Sequence, residues 1–188
     1  MIERDKDLID LIKNRDESAF AEFAHQWHKR IYNYALRYSN DPEFAQEVVQ
    51  KTFIQVYQKI HQLKDPASLR PWLYRIASNC CSSEGRQQQR KRYTLPEDGL
   101  PVQKDLNTPE SVYQKKQLQE VVMETLQLIP EEQRKVILMK EYEGLKFKEI
   151  AETLEESENT IKSRMYYGLD AMRKILLKKR MTKEIYYE

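Results

Sequence analysis

Two apolar patterns near the C-terminus constrain the fold of this chain more than any other feature of its sequence. In the segment FKEIAETL, which starts at Phe147, apolar residues recur at i, i+3, i+4 and i+7, the spacing of one helical face. After a short connection that ends at Ser157, a longer helical pattern follows. Its expected buried positions are Ile161, Met165, Leu169, Met172 and Leu176. Because Ser157 is a favourable N-cap, residues 147–173 predict a helix-turn-helix.

The remainder of the chain also favours helices. Only 4 of its 188 residues are glycine, and no long alternating run of β-branched residues indicates a strand. Asp16 and Asp41 are favourable N-caps, and Pro42 suits the first position of a helix. Another helix is expected to begin near Pro71 and to end at Gly85, because glycine commonly follows the last turn of a helix.

Residues 93–112 interrupt this helical pattern. They contain three prolines and one glycine, and they show little periodicity. The sequence therefore predicts an all-α fold of two small helical domains joined by a flexible linker. We expect a four-helix domain over residues 1–92, the linker over residues 93–112, a helix-turn-helix domain over residues 113–180, and a tail over residues 181–188.

Charge is distributed unevenly along the chain, although the formal net charge is only +2. Residues 86–92 hold four cations and no anion, and residues 173–183 hold six cations and no anion. The predicted linker between them holds four carboxylates and one lysine. Two basic blocks separated by an acidic segment predict two surfaces that contact nucleic acid. Solvated helix faces are the alternative interpretation of either block.

The second helix of the helix-turn-helix presents a polar face. At about 100° per residue, Thr160, Ser163 and Tyr167 point away from the predicted buried stripe. A recognition helix places its N-terminal residues in the major groove, so this face predicts contacts with duplex DNA. The predicted contacts are Asn159, Thr160, Lys162, Ser163, Arg164 and Tyr167, with Arg173 as a further phosphate contact. The alternative is an ordinary helical hairpin with a polar outer face.

Five segments in a fixed order carry a resemblance to a known family. They are DESAF at residues 16–20, AQEVVQKTF at 45–53, WLYRIASN at 72–79, LIPEEQR at 128–134 and TIKSR at 160–164. Together they resemble the motifs of the extracytoplasmic-function sigma factors, the small two-domain sigma factors of bacteria. The resemblance implies a dissociable subunit that binds core RNA polymerase and directs promoter-specific transcription initiation at −35 and −10 elements. It implies no catalytic site, no cofactor and no metal.

The resemblance also implies roles for particular residues. The core-polymerase contact falls on Glu47, Gln50 and Phe53 of the third helix, although Phe53 is equally well explained as a core residue. The contacts with the opened −10 strand fall on Leu69, Arg75, Asn79, Arg86, Arg90 and Lys91. The −35 contacts coincide with the polar face of the recognition helix, where Tyr167 occupies a position at which the family often has arginine.

The implied partners are core RNA polymerase, promoter DNA and an anti-sigma factor, with no insertion into a membrane. A cytoplasmic location follows, and an anti-sigma partner could hold the chain at the membrane. Two other functions compete with this interpretation. One is a helix-turn-helix transcriptional regulator whose N-terminal half senses a ligand or dimerises, and the other is a helical interaction protein without DNA contact. An enzyme is not expected, because the three histidines form no recognised catalytic or metal-binding set.

Overall fold

A computed structural model describes the backbone of residues 2–92 and 110–186 and the side chains of residues 6–90 and 118–178. Residues 93–109, which make up most of the predicted linker, lie outside the described residues, as does the end of the predicted tail. Every regular element in the described ranges is helical, which confirms the all-α prediction. None of the described helices has the length and hydropathy required to cross a bilayer.

The described part of the chain contains eight α-helices. They are α1 (Ile2–Lys13), α2 (Glu17–Ser39), α3 (Pro42–Lys59), α4 (Leu69–Arg92), α5 (Glu110–Gln127), α6 (Glu131–Ile137), α7 (Phe147–Leu154) and α8 (Glu158–Tyr186). Two short 3₁₀ turns, Ile60–Gln62 and Pro66–Ser68, connect α3 to α4. A π-helical turn, Leu138–Tyr142, follows α6 directly.

Local signals set the start of α2, α3 and α8. The Asp16 carboxylate accepts a hydrogen bond from Ala19 N at 2.9 Å. The Asp41 carboxylate accepts one from Glu43 N, also at 2.9 Å, with Pro42 at the first helical position. The Ser157 hydroxyl accepts from the backbone N–H three residues later at 3.1 Å. The predicted N-caps of these three helices are therefore confirmed.

The predicted end of α4 is wrong, whereas its start lies two residues before the predicted one. The helix begins at Leu69 and continues through Gly85 to Arg92. Pro71 is tolerated because it lies in the first turn, where its missing N–H would have no intrahelical partner. Gly85 costs only about 1 kcal/mol in a helix interior. The buried Glu84, which pairs with Lys51 of α3, holds this part of α4 against the rest of the domain.

One predicted core position of α8 is also wrong. Ile161, Met165 and Met172 are buried as expected and Leu176 is half buried, but Leu169 is 43% exposed. Gly168 occupies the buried face in its place, and a Cβ there would lie 2.8 Å from Ile137 Cδ1 of α6. The helix axes therefore approach closely at this glycine, which turns the next side chain toward solvent.

These two glycines give opposite predictions for stability. We expect Gly85→Ala to raise the free energy of unfolding by about 0.5–1 kcal/mol, because the new Cβ would meet no atom within 4 Å and the unfolded chain would lose entropy. We expect Gly168→Ala to lower it by about 1–3 kcal/mol, because the methyl would overpack against Ile137. Urea unfolding of the full chain measures both. Stabilisation by both substitutions would contradict the close approach of α6 and α8.

The two halves of the chain pack against each other. α7 lies on α4, while α5 and the π-helical turn contact α2. Arg134 of α6 donates to the backbone carbonyl of Tyr38 at 2.7 Å, and Gln127 of α5 donates to that of Arg37 at 3.0 Å. These two side chains satisfy carbonyl groups that the C-terminal end of α2 leaves without intrahelical partners.

Candidate polymerase and nucleic-acid interfaces

The outer face of α3 carries two of the three residues that sequence analysis assigned to polymerase contact. Glu47 and Gln50 are exposed. Phe53 is only 9% exposed, and its ring packs edge-on against Phe23 with centroids 6.3 Å apart. Phe53 therefore belongs chiefly to the core of the N-terminal half and reaches the surface only at its edge.

A shallow apolar groove of about 550 Å³ lies beside these residues, between α2 and α3. Its walls include Phe20, Gln50, the edge of Phe53, Ile54 and Tyr57. Ile54 is half exposed and lies in this groove beside the buried Phe53. Ile54 was not among the contacts predicted from the sequence, although it is one residue from Phe53 and one helical turn from Gln50. An exposed aliphatic residue in a groove with a polar rim is typical of a protein-binding surface.

Lys51 connects the exposed face of α3 to α4. Its ammonium forms an ion pair with Glu84 and lies 3.9 Å from Glu47. The hydrogen bond to Glu84 raises the pKa of Lys51, although partial burial opposes the shift. Lys51 therefore stays charged and fixes the position of α3 relative to α4.

Four of the six residues assigned to the −10 strand share one face of α4. Arg75, Asn79, Arg86 and Arg90 follow i, i+4, i+11 and i+15, and all four are exposed or half exposed. This set is called the α4 stripe below. Leu69 is separate from it, because it is buried at 5% exposure. The side chain of Lys91 lies outside the described residues.

The N-terminal part of α8 presents the residues assigned to the −35 element. Asn159, Ser163 and Tyr167 are exposed on the outer face. Thr160 is half buried and its hydroxyl lies 2.8 Å from Ser157 Oγ, so its side chain belongs to the cap of the helix. Lys162 forms an ion pair with Glu158 at 2.7 Å on the flank of this face.

Tyr166 is a candidate contact that sequence analysis missed. Its side chain is 67% exposed, as open to solvent as that of Tyr167 at 68%. The helical period already contains the signal, since Tyr166 is three residues from Ser163 and seven from Asn159. Because Leu169 was expected to be buried, the predicted apolar stripe of α8 lay closer to Tyr166 than the observed stripe does. For this reason Tyr166 was not predicted to be exposed.

Arg164 does not share the outer face. Its side chain is only 23% exposed, and its guanidinium lies 2.8 Å from a Glu156 carboxylate oxygen and 3.4 Å from one of Glu132. Glu132 also pairs with Lys135 at 2.8 Å. Arg164 therefore joins α8 to the turn before it and to α6, the helix on which α8 packs.

Two family models match the chain. The family model for Sigma-70 region 2 matches residues 23–91, which include the α3 face and the α4 stripe. The model for Sigma-70, region 4 matches residues 119–172, which include the helix-turn-helix. Region 2 precedes region 4 along the chain, which is the order of the sequence motifs described above.

Relatives and solved structures extend these matches over most of the chain. The RNA polymerase sigma-H factor of Pseudomonas aeruginosa is 27% identical over 93% of this chain and 94% of that protein. The ECF RNA polymerase sigma factor SigE of Mycolicibacterium smegmatis is 31% identical over 84% of this chain and 61% of that protein. CnrH in complex with the cytosolic domain of CnrY has the same fold, with a TM-score of 0.66 and 20% identity over 92% of this chain and 96% of that one. The chain therefore belongs to the sigma-70 family, within its extracytoplasmic-function group.

Proposed function

We propose that the chain divides promoter recognition between its two halves, with the α3 face on RNA polymerase, the α4 stripe on the −10 strand and α8 on the −35 duplex. As a sigma factor, the chain binds core RNA polymerase and directs promoter-specific transcription initiation. The observation that carries the division of labour is that three helices each present a distinct outward set of polar or cationic side chains. A helix-turn-helix regulator would leave the α3 groove and the α4 stripe without a role.

The −35 role rests on the outer face of α8. Asn159, Ser163 and Tyr167 are exposed near the start of the helix, where side chains reach base edges in the major groove. Tyr166 joins this set because it is equally exposed. Lys162 lies on the flank of this face. Its ammonium can contact a DNA phosphate when it breaks its ion pair with Glu158. We assign no base contact to Thr160, whose hydroxyl is used in the helix cap.

Arg164 has a positioning role in this proposal. It pairs with carboxylates of the turn and of α6 and is largely shielded from solvent. These contacts fix the angle at which α8 leaves the turn, and that angle decides which side chains meet the groove. Arg164 therefore acts on DNA binding through the orientation of α8.

The −10 role rests on the α4 stripe. Its arginines repeat on one helical face, so they can follow the phosphates of a single strand, while Asn79 can hydrogen-bond an unpaired base. We do not assign a contact to Leu69, because a buried side chain cannot stack on a base without leaving the core.

The polymerase role rests on the α3 groove. Ile54 supplies an apolar anchor and Gln50 a polar contact in the wall of the groove, while Glu47 is exposed one turn before Gln50 on α3, a composition suited to binding a helical segment of the enzyme. The solved structures of similar fold include the sigma factor RpoE in complex with the anti-sigma factor NepR from Bartonella quintana, with a TM-score of 0.64 and 17% identity over 82% of this chain and 96% of that one. We infer that an anti-sigma protein also binds this chain, and that both act in the cytoplasm.

Transcription in vitro tests the proposal as a whole. Core RNA polymerase with this chain is expected to give transcripts from a small set of fragments in a genomic library, with start sites that share a −10 and a −35 sequence. Core enzyme alone is the control and is expected to give none of these transcripts. Transcription that starts at the same sites with and without the chain would reject the proposed function.

A further inference from the structure

The outer face of α8 is arranged around a small residue, Ser163. Asn159 lies one turn before it, and Tyr166 and Tyr167 lie three and four residues after it, so all three are its neighbours on the helix surface. The two tyrosines have larger exposed fractions than any other large apolar side chain of the described residues. Both rings therefore project from the helix on either side of the serine, where they can enter a groove of DNA.

The cations near this face are already paired with carboxylates. Arginine and lysine are the side chains that most often read guanine, through its O6 and N7 atoms. Arg164 is the only arginine of residues 158–168, the first three turns of α8, and its guanidinium is directed to Glu132 and Glu156. Lys162 lies on the flank, in its ion pair with Glu158. The start of α8 therefore aims no cation at the base edges.

The side chains that remain on this face match the major-groove edge of A·T base pairs. The amide of Asn159 can bond adenine at both N6 and N7, a bidentate contact that other bases do not allow. Thymine presents a 5-methyl group in the same groove, and aromatic rings such as those of Tyr166 and Tyr167 contact it favourably. The Ser163 hydroxyl can bond to several base edges, so it contributes little discrimination.

A carboxylate limits this surface to the start of the helix. Asp170 is exposed on the same face, three residues after Tyr167, and pairs with Lys174 at 2.7 Å. DNA phosphates repel a carboxylate, so the reading surface ends before this position. The eight residues from Asn159 to Tyr167 span about 12 Å of helix axis at 1.5 Å per residue. That length corresponds to about three to four base pairs at 3.4 Å each.

We propose that this chain reads a −35 element made mainly of A·T base pairs. Asn159 recognises an adenine, and the rings of Tyr166 and Tyr167 contact thymine methyl groups. The proposal rests on the −35 role given to α8 above and names the base pairs that this surface selects. Arg164 fixes the angle of the helix and reads no guanine.

A promoter library tests the base preference. The −35 element of a promoter with a mapped start site is randomised, and the templates that give transcripts with the holoenzyme are sequenced. The selected elements are expected to consist mainly of A·T pairs, with one adenine preferred about tenfold or more, because a bidentate contact discriminates to this extent. Asn159→Ala is expected to abolish the preference at that position alone. Transcription from the parent promoter reports the sigma function separately, so a failed base preference is distinguishable from a failed function.

Uracil in place of thymine isolates the methyl contact, because the two bases differ only in the 5-methyl group. Templates with thymine or uracil in the selected −35 element compete for the holoenzyme in one reaction. The unaltered holoenzyme is expected to favour the thymine template about fourfold for each methyl group contacted. Tyr166→Ala combined with Tyr167→Ala is expected to remove this preference. Leu177→Ala truncates an exposed apolar side chain farther along α8 and is expected to keep it.

Two results would overturn the proposal. Equal use of the thymine and uracil templates by the unaltered holoenzyme would exclude the contacts assigned to Tyr166 and Tyr167. Selection of guanine in the −35 element, with that preference lost in Arg164→Gln, would show that Arg164 reads a base.

Discussion

Arg164→Gln is expected to weaken binding of the −35 duplex about 10- to 100-fold, although this residue makes no DNA contact in our assignment. Hydrogen bonds to charged groups contribute about 1.5–3 kcal/mol, and each 1.4 kcal/mol corresponds to about a tenfold change in affinity. Without the ion pairs to Glu132 and Glu156, the angle between α8 and the rest of the helix-turn-helix would no longer be fixed. Fluorescence anisotropy with a duplex taken from a mapped start site measures the affinity.

Salt dependence separates positioning from direct contact. Each phosphate contact contributes a slope of about −0.9 to the plot of log affinity against log salt concentration. We expect Arg164→Gln to leave this slope unchanged and the matched Lys162→Gln to reduce its magnitude by about 0.9. A reduced slope for Arg164→Gln would show that Arg164 contacts a phosphate. The exchange of Arg164→Glu with Glu156→Arg is expected to restore part of the affinity, because it rebuilds the pair in reverse.

Glu47→Lys combined with Gln50→Ala is expected to lower the affinity for core polymerase by about 30-fold or more. Charge reversal and truncation at the centre of an interface commonly cost about 2–4 kcal/mol, whereas an exposed pair such as that of Glu47 with Lys51 contributes little to folding. Co-elution with core enzyme and competition against the unaltered chain measure the effect. DNA binding by the isolated double variant is expected to be unchanged.

A matched control distinguishes this surface from general damage to the N-terminal half. Gln26→Ala changes an exposed residue of α2 that does not line the α3 groove, and it is expected to leave polymerase affinity unchanged. Ile54→Ala removes the apolar anchor of the groove and is expected to act in the same direction as the double variant. Full polymerase affinity in the Glu47 and Gln50 variant would place the interface elsewhere.

Features determined by neighbouring residues could be predicted from the sequence. Asp16, Asp41 and Ser157 act on backbone groups within three positions, so their roles as N-caps are visible in the local sequence. The family match confirms the sigma-factor interpretation, which depended on several motifs in order. The boundaries of the two domains and the roles of individual contact residues stay predictions.

Features determined by distant partners could not be predicted. Gly85 resembled a helix end because the stabilising pair of its neighbour Glu84 is with Lys51, 33 positions away. Leu169 fitted the apolar stripe of α8, but the close approach of α6 at Gly168 rotates that stripe. Arg164 was grouped with the DNA contacts because nothing in the helical period indicates that carboxylates from two other elements surround it.

The π-helical turn after α6 makes the number of residues in this segment as important for the contact with α4 as their identity. In Leu138–Tyr142 the backbone N–H of Glu143 bonds to the carbonyl of Leu138, five residues earlier, so the turn holds one residue more than an α-helical turn. That extra residue rotates Glu143 by about 100° relative to a continuous α-helix, and in this orientation its carboxylate meets Tyr74. A single-residue deletion in this turn would point a different side chain at α4, even if every remaining residue kept its identity.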